Sequence, residues 1–155
     1  MAIKGGLNGF GRIGRDVARI IFTRENLPFE LVQINASGDR EMMAQLFKYD
    51  SIYRKFPKDV KVVEEGFEID GKLVKISDFR DAADIPWKEN QVDLVIDSTG
   101  AFKTREGAKK HYKAGAKKVI ITAPAEGADI TIVMGVNEDK YDPKNHNYIS
   151  NASCT

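Results

Sequence analysis

The sequence predicts an α/β domain with a doubly wound, mostly parallel sheet and an antiparallel hairpin at its edge. Three observations carry this reading. Short apolar runs suited to strands buried on both faces, such as residues 29–34 and 92–97, alternate with segments of helical period. A glycine-rich turn, Asn8-Gly9-Phe10-Gly11-Arg12-Ile13-Gly14, joins the first apolar run to the first helical segment. Between residues 60 and 76 the pattern changes to strict alternation around Asp70-Gly71, a hairpin signal.

Taken in order, residues 3–8 form a short strand ended by glycines. Residues 11–23 have helical period, with Ile13, Val17, Ile20 and Ile21 expected on the inward face. Leu27-Pro28 breaks that helix, and residues 29–34 read as the second strand. A helix over residues 39–49 follows, with Met42, Met43, Leu46 and Phe47 expected inward. After the hairpin, residues 92–97 return to a buried strand and residues 104–114 to a helix. Gly115 stands where a left-handed C-cap belongs. Strands over 118–122, 130–134 and 148–150 complete the sheet. No internal repeat, low-complexity tract or interdomain linker interrupts residues 1–155, which read as one domain.

Composition narrows the function classes. A chain of 155 residues, 42% hydrophobic and 30% charged, can bury a real core. A net charge of +1 gives no pull toward nucleic acid or an anionic membrane, so neither is an expected partner. No apolar run is long enough to cross a bilayer, and the N-terminus lacks the features of a signal peptide. The single cysteine cannot form an internal disulfide, so the cytoplasm is the expected compartment. No metal is expected.

The glycine turn carries the first chemical signal. In the G-x-G-x-x-G pattern Gly9 permits the tight turn, Gly11 lets a pyrophosphate approach the backbone, and Gly14 lets helix pack on strand. Free N–H groups at the positive end of the helix would then face the phosphates, as expected for a dinucleotide site. A carboxylate about 20 residues further on, at the tip of the second strand, would grip the ribose hydroxyls of NAD. Here that tip reads Asn35-Ala36-Ser37-Gly38 and carries no acid. The small residues leave room for a 2′-phosphate, and Arg40 is near enough in sequence to pair with it. Charge and sterics thus favour NADP, or dual use, over strict NAD. The alternative is a solvated Arg40 with Asp39 turned in to serve NAD. Ser98-Thr99-Gly100 and Thr122-Ala123-Pro124 end two further strands where a doubly wound sheet binds ligands.

Cys154 follows the last strand in Asn151-Ala152-Ser153-Cys154-Thr155 and would open a helix. A lone cysteine is usually an inert apolar residue, but a thiol at a helix N-terminus is held more in the thiolate form. With Asn8 to Arg15, these residues join Lys48-Tyr49-Asp50-Ser51, Ser98-Thr99-Gly100, the block from Gly115 to Ile121, and Met134-Gly135-Val136-Asn137. Together, in order along the whole chain, the blocks resemble glyceraldehyde-3-phosphate dehydrogenase.

The resemblance implies a Rossmann-type domain and phosphorylating oxidation of an aldehyde. Cys154 would attack glyceraldehyde 3-phosphate, hydride would pass to the nicotinamide, and inorganic phosphate would release the thioester as an acyl phosphate. Arg12 and Ile13 would hold the pyrophosphate through backbone groups. Arg80, Ser98, Thr99 and Thr122 would line the adenine and nicotinamide sides, and Ser153 and Thr155 would bind substrate or phosphate. Strict NAD users of the family carry Asp where this chain has Ala36, so the Asn-Ala-Ser sequence resembles the NADP-linked, gluconeogenic-direction branch. The family's catalytic histidine, its phosphate-gripping arginine and its C-terminal helix fall beyond Thr155. The 155 residues alone are therefore expected to bind cofactor at best and to lack turnover, within a parent that is a homotetramer. Erythrose-4-phosphate dehydrogenase and a non-catalytic nucleotide-binding module are the alternatives.

Overall fold

A computed structural model describes residues 2–153. The chain runs β1 (Ile3–Asn8), α1 (Arg12–Thr23), β2 (Phe29–Asn35), α2 (Arg40–Lys48), β3 (Tyr49–Asp50), β4 (Arg54–Lys55), β5 (Val60–Val63), β6 (Gly66–Ile69) and β7 (Lys72–Ser77). It continues through β8 (Leu94–Asp97), α3 (Arg105–Lys113), β9 (Lys118–Ile121), β10 (Ile130–Thr131) and β11 (Tyr148–Ser150). Nine strands form one sheet in the order β10-β11-β9-β8-β1-β2-β7-β6-β5, while β3 and β4 pair separately. Eight of the nine strands run in one direction; only β6 is reversed, so it pairs antiparallel with both β5 and β7. From β1 the chain winds outward through β2 to β7. From β8, on the other side of β1, it winds through β9 to β11. The order reverses between β1 and β8, and a crevice opens there beyond the carboxyl ends of the strands. Among the described residues no helix is long and apolar enough to cross a membrane.

The largest apolar cluster packs α1 and α2 against β1, β2 and the β5–β7 edge, through Leu7, Ala18, Ile34, Phe47 and Phe67. A second cluster gathers around Trp87, and a third joins α3 to β9 and β11 through Ala108, Val119, Ile121 and Tyr148.

Four expectations from the sequence change. The buried face of α1 is Gly14, Ala18 and Phe22, flanked by the partly buried Val17 and Ile21, whereas Ile13 and Ile20 are 48% and 45% exposed. The cause is close approach at Gly14, which turns the Gly14–Ala18–Phe22 face rather than Ile13 and Ile20 toward the sheet. In α2, Met43, Ala44 and Phe47 are buried, but Met42 and Leu46 are 60% and 44% exposed and face the crevice described below. The edge hairpin is a three-strand meander. β6 lies between β5 and β7, and β7 pairs parallel with β2, so the excursion feeds back into the main sheet. The strand expected over residues 130–134 is only Ile130–Thr131.

The two-residue turn Asp70-Gly71 has positive φ at both positions, as the sequence predicts for a hairpin. Thr104 caps α3 by accepting from Gly107 N, and Gly115 follows at φ +114.

Candidate cofactor site

A cleft of about 540 Å³ lies at the carboxyl ends of β1, β2 and β8. Its floor is Asn8-Gly9-Phe10-Gly11, one wall runs from Asn35 to Asp39 into Met42, Met43 and Leu46, and the rest is Asp78, Phe79, Arg80, Thr99, Ala101 and Phe102.

The glycine turn is fixed from below. Gly9 has φ +98 and its N–H donates to Asn35 O at 2.9 Å, tying β1 to β2. Ser98 Oγ lies 3.1 Å from Asn8 O and 3.2 Å from Gly9 O, tying the turn to β8. Phe10 points into the core against Phe47 and Phe67, and its carbonyl accepts from Arg15 Nη1 at 3.0 Å. A Cβ at Gly14 would stand 2.2 Å from Gly9 O, which confirms the close-packing role expected of the third glycine. A Cβ at Gly11 would meet no heavy atom within 4 Å. Gly11 is also the N-cap of α1, with no side-chain cap and no acid in the first turn. The helix end is therefore open toward the cleft, and its backbone donors suit a pyrophosphate.

The strand tips are joined by buried polar side chains. Asn8 Nδ2 donates to Asp97 Oδ2 at 3.0 Å, and Asn8 Oδ1 accepts from Asn35 Nδ2 at 2.9 Å. Asn35 further bonds both backbone groups of Phe79 and accepts from Ser77 Oγ. Burial pushes the Asp97 carboxyl up, but hydrogen bonds from His111 and Thr99 outweigh it and hold Asp97 below the usual carboxylate range.

Of the residues singled out from sequence, Gly9, Phe10, Gly11, Asn35, Ala36, Ser37, Arg80 and Thr99 line this one cleft. Arg12 and Ile13 begin α1, where their backbones belong to the open helix end. The Arg12 side chain turns away to pair with Asp50 and Asp16. Asp50 also accepts from the amides of Tyr53 and Ile52, which together with Arg12 pull its carboxyl down to about 2. Ser98 braces the turn rather than lining the cleft. Gly100, at φ +75, shapes the loop beside Thr99, and Thr122 binds back to Asp97 O. Arg40 is not in the lining: its Nη1 donates to Glu64 O at 2.6 Å. Asp39 lines the cleft, yet its carboxylate caps α2 by accepting from Met42 N. Sequence reasoning did not find the apolar wall of Met42, Leu46, Phe79 and Phe102. On α2 a cleft-facing apolar residue has the same spacing as a core one, and Phe79 and Phe102 sit in loops with no periodic pattern. β11 runs parallel to β9, so residues 151–153 leave the sheet at its cleft end; Cys154 and Thr155 lie outside the described residues.

Residues 3–105 match the sequence profile described as glyceraldehyde 3-phosphate dehydrogenase, NAD binding domain. The chain belongs to this family. It is 54% identical over 155 residues to the glyceraldehyde-3-phosphate dehydrogenase of Priestia megaterium, covering all of this chain and 46% of that protein. It is 53% identical over 149 residues to the Thermotoga maritima protein of that name, covering 96% of this chain and 44% of the relative. With the Geobacillus stearothermophilus protein it shares 51% identity over 155 residues, all of this chain and 46% of the relative. The chain thus spans about half the length of the curated relatives it matches. As a glyceraldehyde 3-phosphate dehydrogenase NAD-binding domain, it binds a nicotinamide cofactor.

Proposed function

We propose that this chain is the cofactor-binding part of an oxidoreductase that converts glyceraldehyde 3-phosphate, phosphate and NAD(P) to 1,3-bisphosphoglycerate, and that it favours NADP over NAD. The supporting observation is the cleft itself. An uncapped helix end and an unobstructed Gly11 suit a pyrophosphate, and a strand tip without a carboxylate suits a 2′-phosphate.

The bound nicotinamide supplies the hydride acceptor. The chain's own groups do the rest. Backbone N–H groups of the α1 end hold the pyrophosphate, and Met42, Leu46 and Phe102 provide apolar cover. Arg80 is the one cationic side chain among the described cleft residues, which supports it as the partner of a 2′-phosphate in the cleft that Ala36 and Ser37 also line. Cys154 is the nucleophile. Its thiolate sulfur would bond to the aldehyde carbon, and once that carbon has given up its hydride to form the thioester, a phosphate oxygen would displace the sulfur as thiolate. Ser153 and Thr155 flank that centre and bind substrate or phosphate. The chain alone lacks turnover, and the longer protein assembles as a homotetramer.

Separate titrations with NAD and NADP test the cofactor choice. Tighter NADP binding is expected, selectively weakened by Arg80→Ala and moved toward NAD by Ala36→Asp. Arg40→Ala, whose guanidinium is engaged with Glu64, should change little. A clear NAD preference in the unmodified chain defeats the NADP assignment.

A further inference from the structure

Behind the cleft, Trp87, His111 and Asp97 form a buried hydrogen-bonded chain, each 1% exposed or less. Trp87 Nε1 donates to His111 Nδ1 at 3.0 Å, and His111 Nε2 lies 2.7 Å from Asp97 Oδ2. An indole nitrogen is a donor only, so His111 Nδ1 accepts, and the ring proton sits on Nε2 and is donated to Asp97. The indole thereby decides the imidazole tautomer. Asp97 collects three more donors: Asn8 Nδ2 on the same oxygen, and Thr99 N and Thr99 Oγ1 on Oδ1 at 3.0 and 2.7 Å. Thr99 Oγ1, its proton committed to Asp97, accepts from Ala101 N at 3.1 Å. Thr99 and Ala101 line the cleft, whereas Trp87, His111 and Asp97 do not. A second link is steric. The His111 ring meets Phe102, another cleft residue, edge-on at 5.6 Å.

We propose that Trp87 and His111 are positioning residues for cofactor binding. Trp87 fixes the His111 tautomer, His111 orients Asp97, and Asp97 holds the turn from Thr99 to Ala101 in its binding shape. This rests on reading the cleft as the nicotinamide-dinucleotide site. A buried carboxylate is tolerated only with its lone pairs satisfied, and here the donors converge on one turn and the neighbouring strand tip.

Three variants test the chain. His111→Leu removes the acceptor for Trp87 and the donor to Asp97, His111→Gln keeps one of each, and Trp87→Phe removes only the tautomer lock. Amide hydrogen exchange at Thr99 and Ala101, dissociation constants for NAD and NADP, and the ¹⁵N spectrum of His111 are measured on the full chain. The wild-type ring should carry its proton on Nε2. His111→Leu should speed turn exchange and weaken both nucleotides by about tenfold or more, since buried partners are left unpaired. His111→Gln should recover most of both effects, and Trp87→Phe should fall between. If the leucine variant does not fold, the other two carry the same comparison. A proton on Nδ1 overturns the proposal. So does a folded variant with unchanged turn exchange, or with faster exchange and unchanged affinity. A wild-type chain that binds neither nucleotide defeats the functional reading and the cofactor half of this proposal, while turn exchange still decides whether the chain holds the turn.

Discussion

Alanine at Gly14 places a methyl carbon 2.2 Å from the Gly9 carbonyl oxygen and 3.0 Å from Ser98 Oγ. Ordinary contact begins near 3.4 Å, so helix and turn must part by more than an ångström. Neither side can yield freely. Gly9 N is bonded to Asn35 O, and Ser98 Oγ is bonded to the same carbonyl that the methyl strikes. Overpacking of this severity belongs at the upper end of its usual cost, about 3 kcal/mol. Better helix propensity returns about 1 kcal/mol, leaving a net loss of about 2 kcal/mol. For a domain of this size that lowers the melting midpoint by about 4–8 °C. Alanine at Gly11 does the reverse. Its Cβ meets nothing and its φ of −77 suits any residue, so stability falls by less than about 1 kcal/mol through the poorer N-cap. The methyl does fill the space where the pyrophosphate meets the backbone. Losing charge-assisted hydrogen bonds there should weaken NAD and NADP by about 10- to 100-fold. Thermal melts by circular dichroism and calorimetric nucleotide titration read the two effects separately. A Gly14→Ala variant as stable as wild type, or a Gly11→Ala variant that binds normally, refutes the division of labour between these glycines.

Acid should loosen the surface of the domain in a defined window. Asp50 sits at about 2, held down by the amides of Tyr53 and Ile52 and then by Arg12. Asp129 also sits at about 2, because Arg105 and the amides of Tyr148 and Asn147 overcome its burial. Both carboxyls lie below their unfolded value of 3.8, so their stabilisation is complete above about pH 4 and disappears as pH falls toward 2. Asp129→Asn should flatten the acid limb of a pH-dependent melt, and an unchanged limb counts against the pairing. Iodoacetamide should label Cys154 faster than free cysteine; labelling no faster removes its assignment as nucleophile.

Most of the fold and the centre of the site were legible in the sequence. The strand–glycine turn–helix unit could be read because each glycine answers a separate constraint. The positions of the parallel strands followed from apolar runs at their expected lengths. What failed was direction around a helix axis. Ile13, Ile20, Met42 and Leu46 share the spacing of core residues, and helical period alone cannot tell a core position from an exposed one, as at Ile13 and Ile20, or a cleft-facing one, as at Met42 and Leu46. Arg40 failed for a different reason. Proximity in sequence placed it near the β2 tip, but β6 inserted between β5 and β7 brings the Glu64 carbonyl within its reach. The Trp87–His111–Asp97 chain spans distant segments with no local pattern, so only the fold reveals it.

Register predicts that the side chain at position 36 can change without disturbing the fold. Asn8 stands directly opposite Asn35 on one side and Asp97 on the other, so three buried polar residues line up across the point where strand order reverses. Each satisfies the next, and Asn35 is further locked by both backbone groups of Phe79. Position 36 follows this locked residue, and its own N–H is bonded to Ser77 O at 2.9 Å. The backbone there is fixed whichever side chain it carries. A carboxylate at 36 would therefore be delivered to the cleft, while alanine leaves that space to the ligand. Replacing Ala36 with Asp should accordingly alter nucleotide preference with little change in melting temperature. The locked geometry belongs to the strand tips, and on the proposed reading nucleotide preference rests with the residue just beyond them.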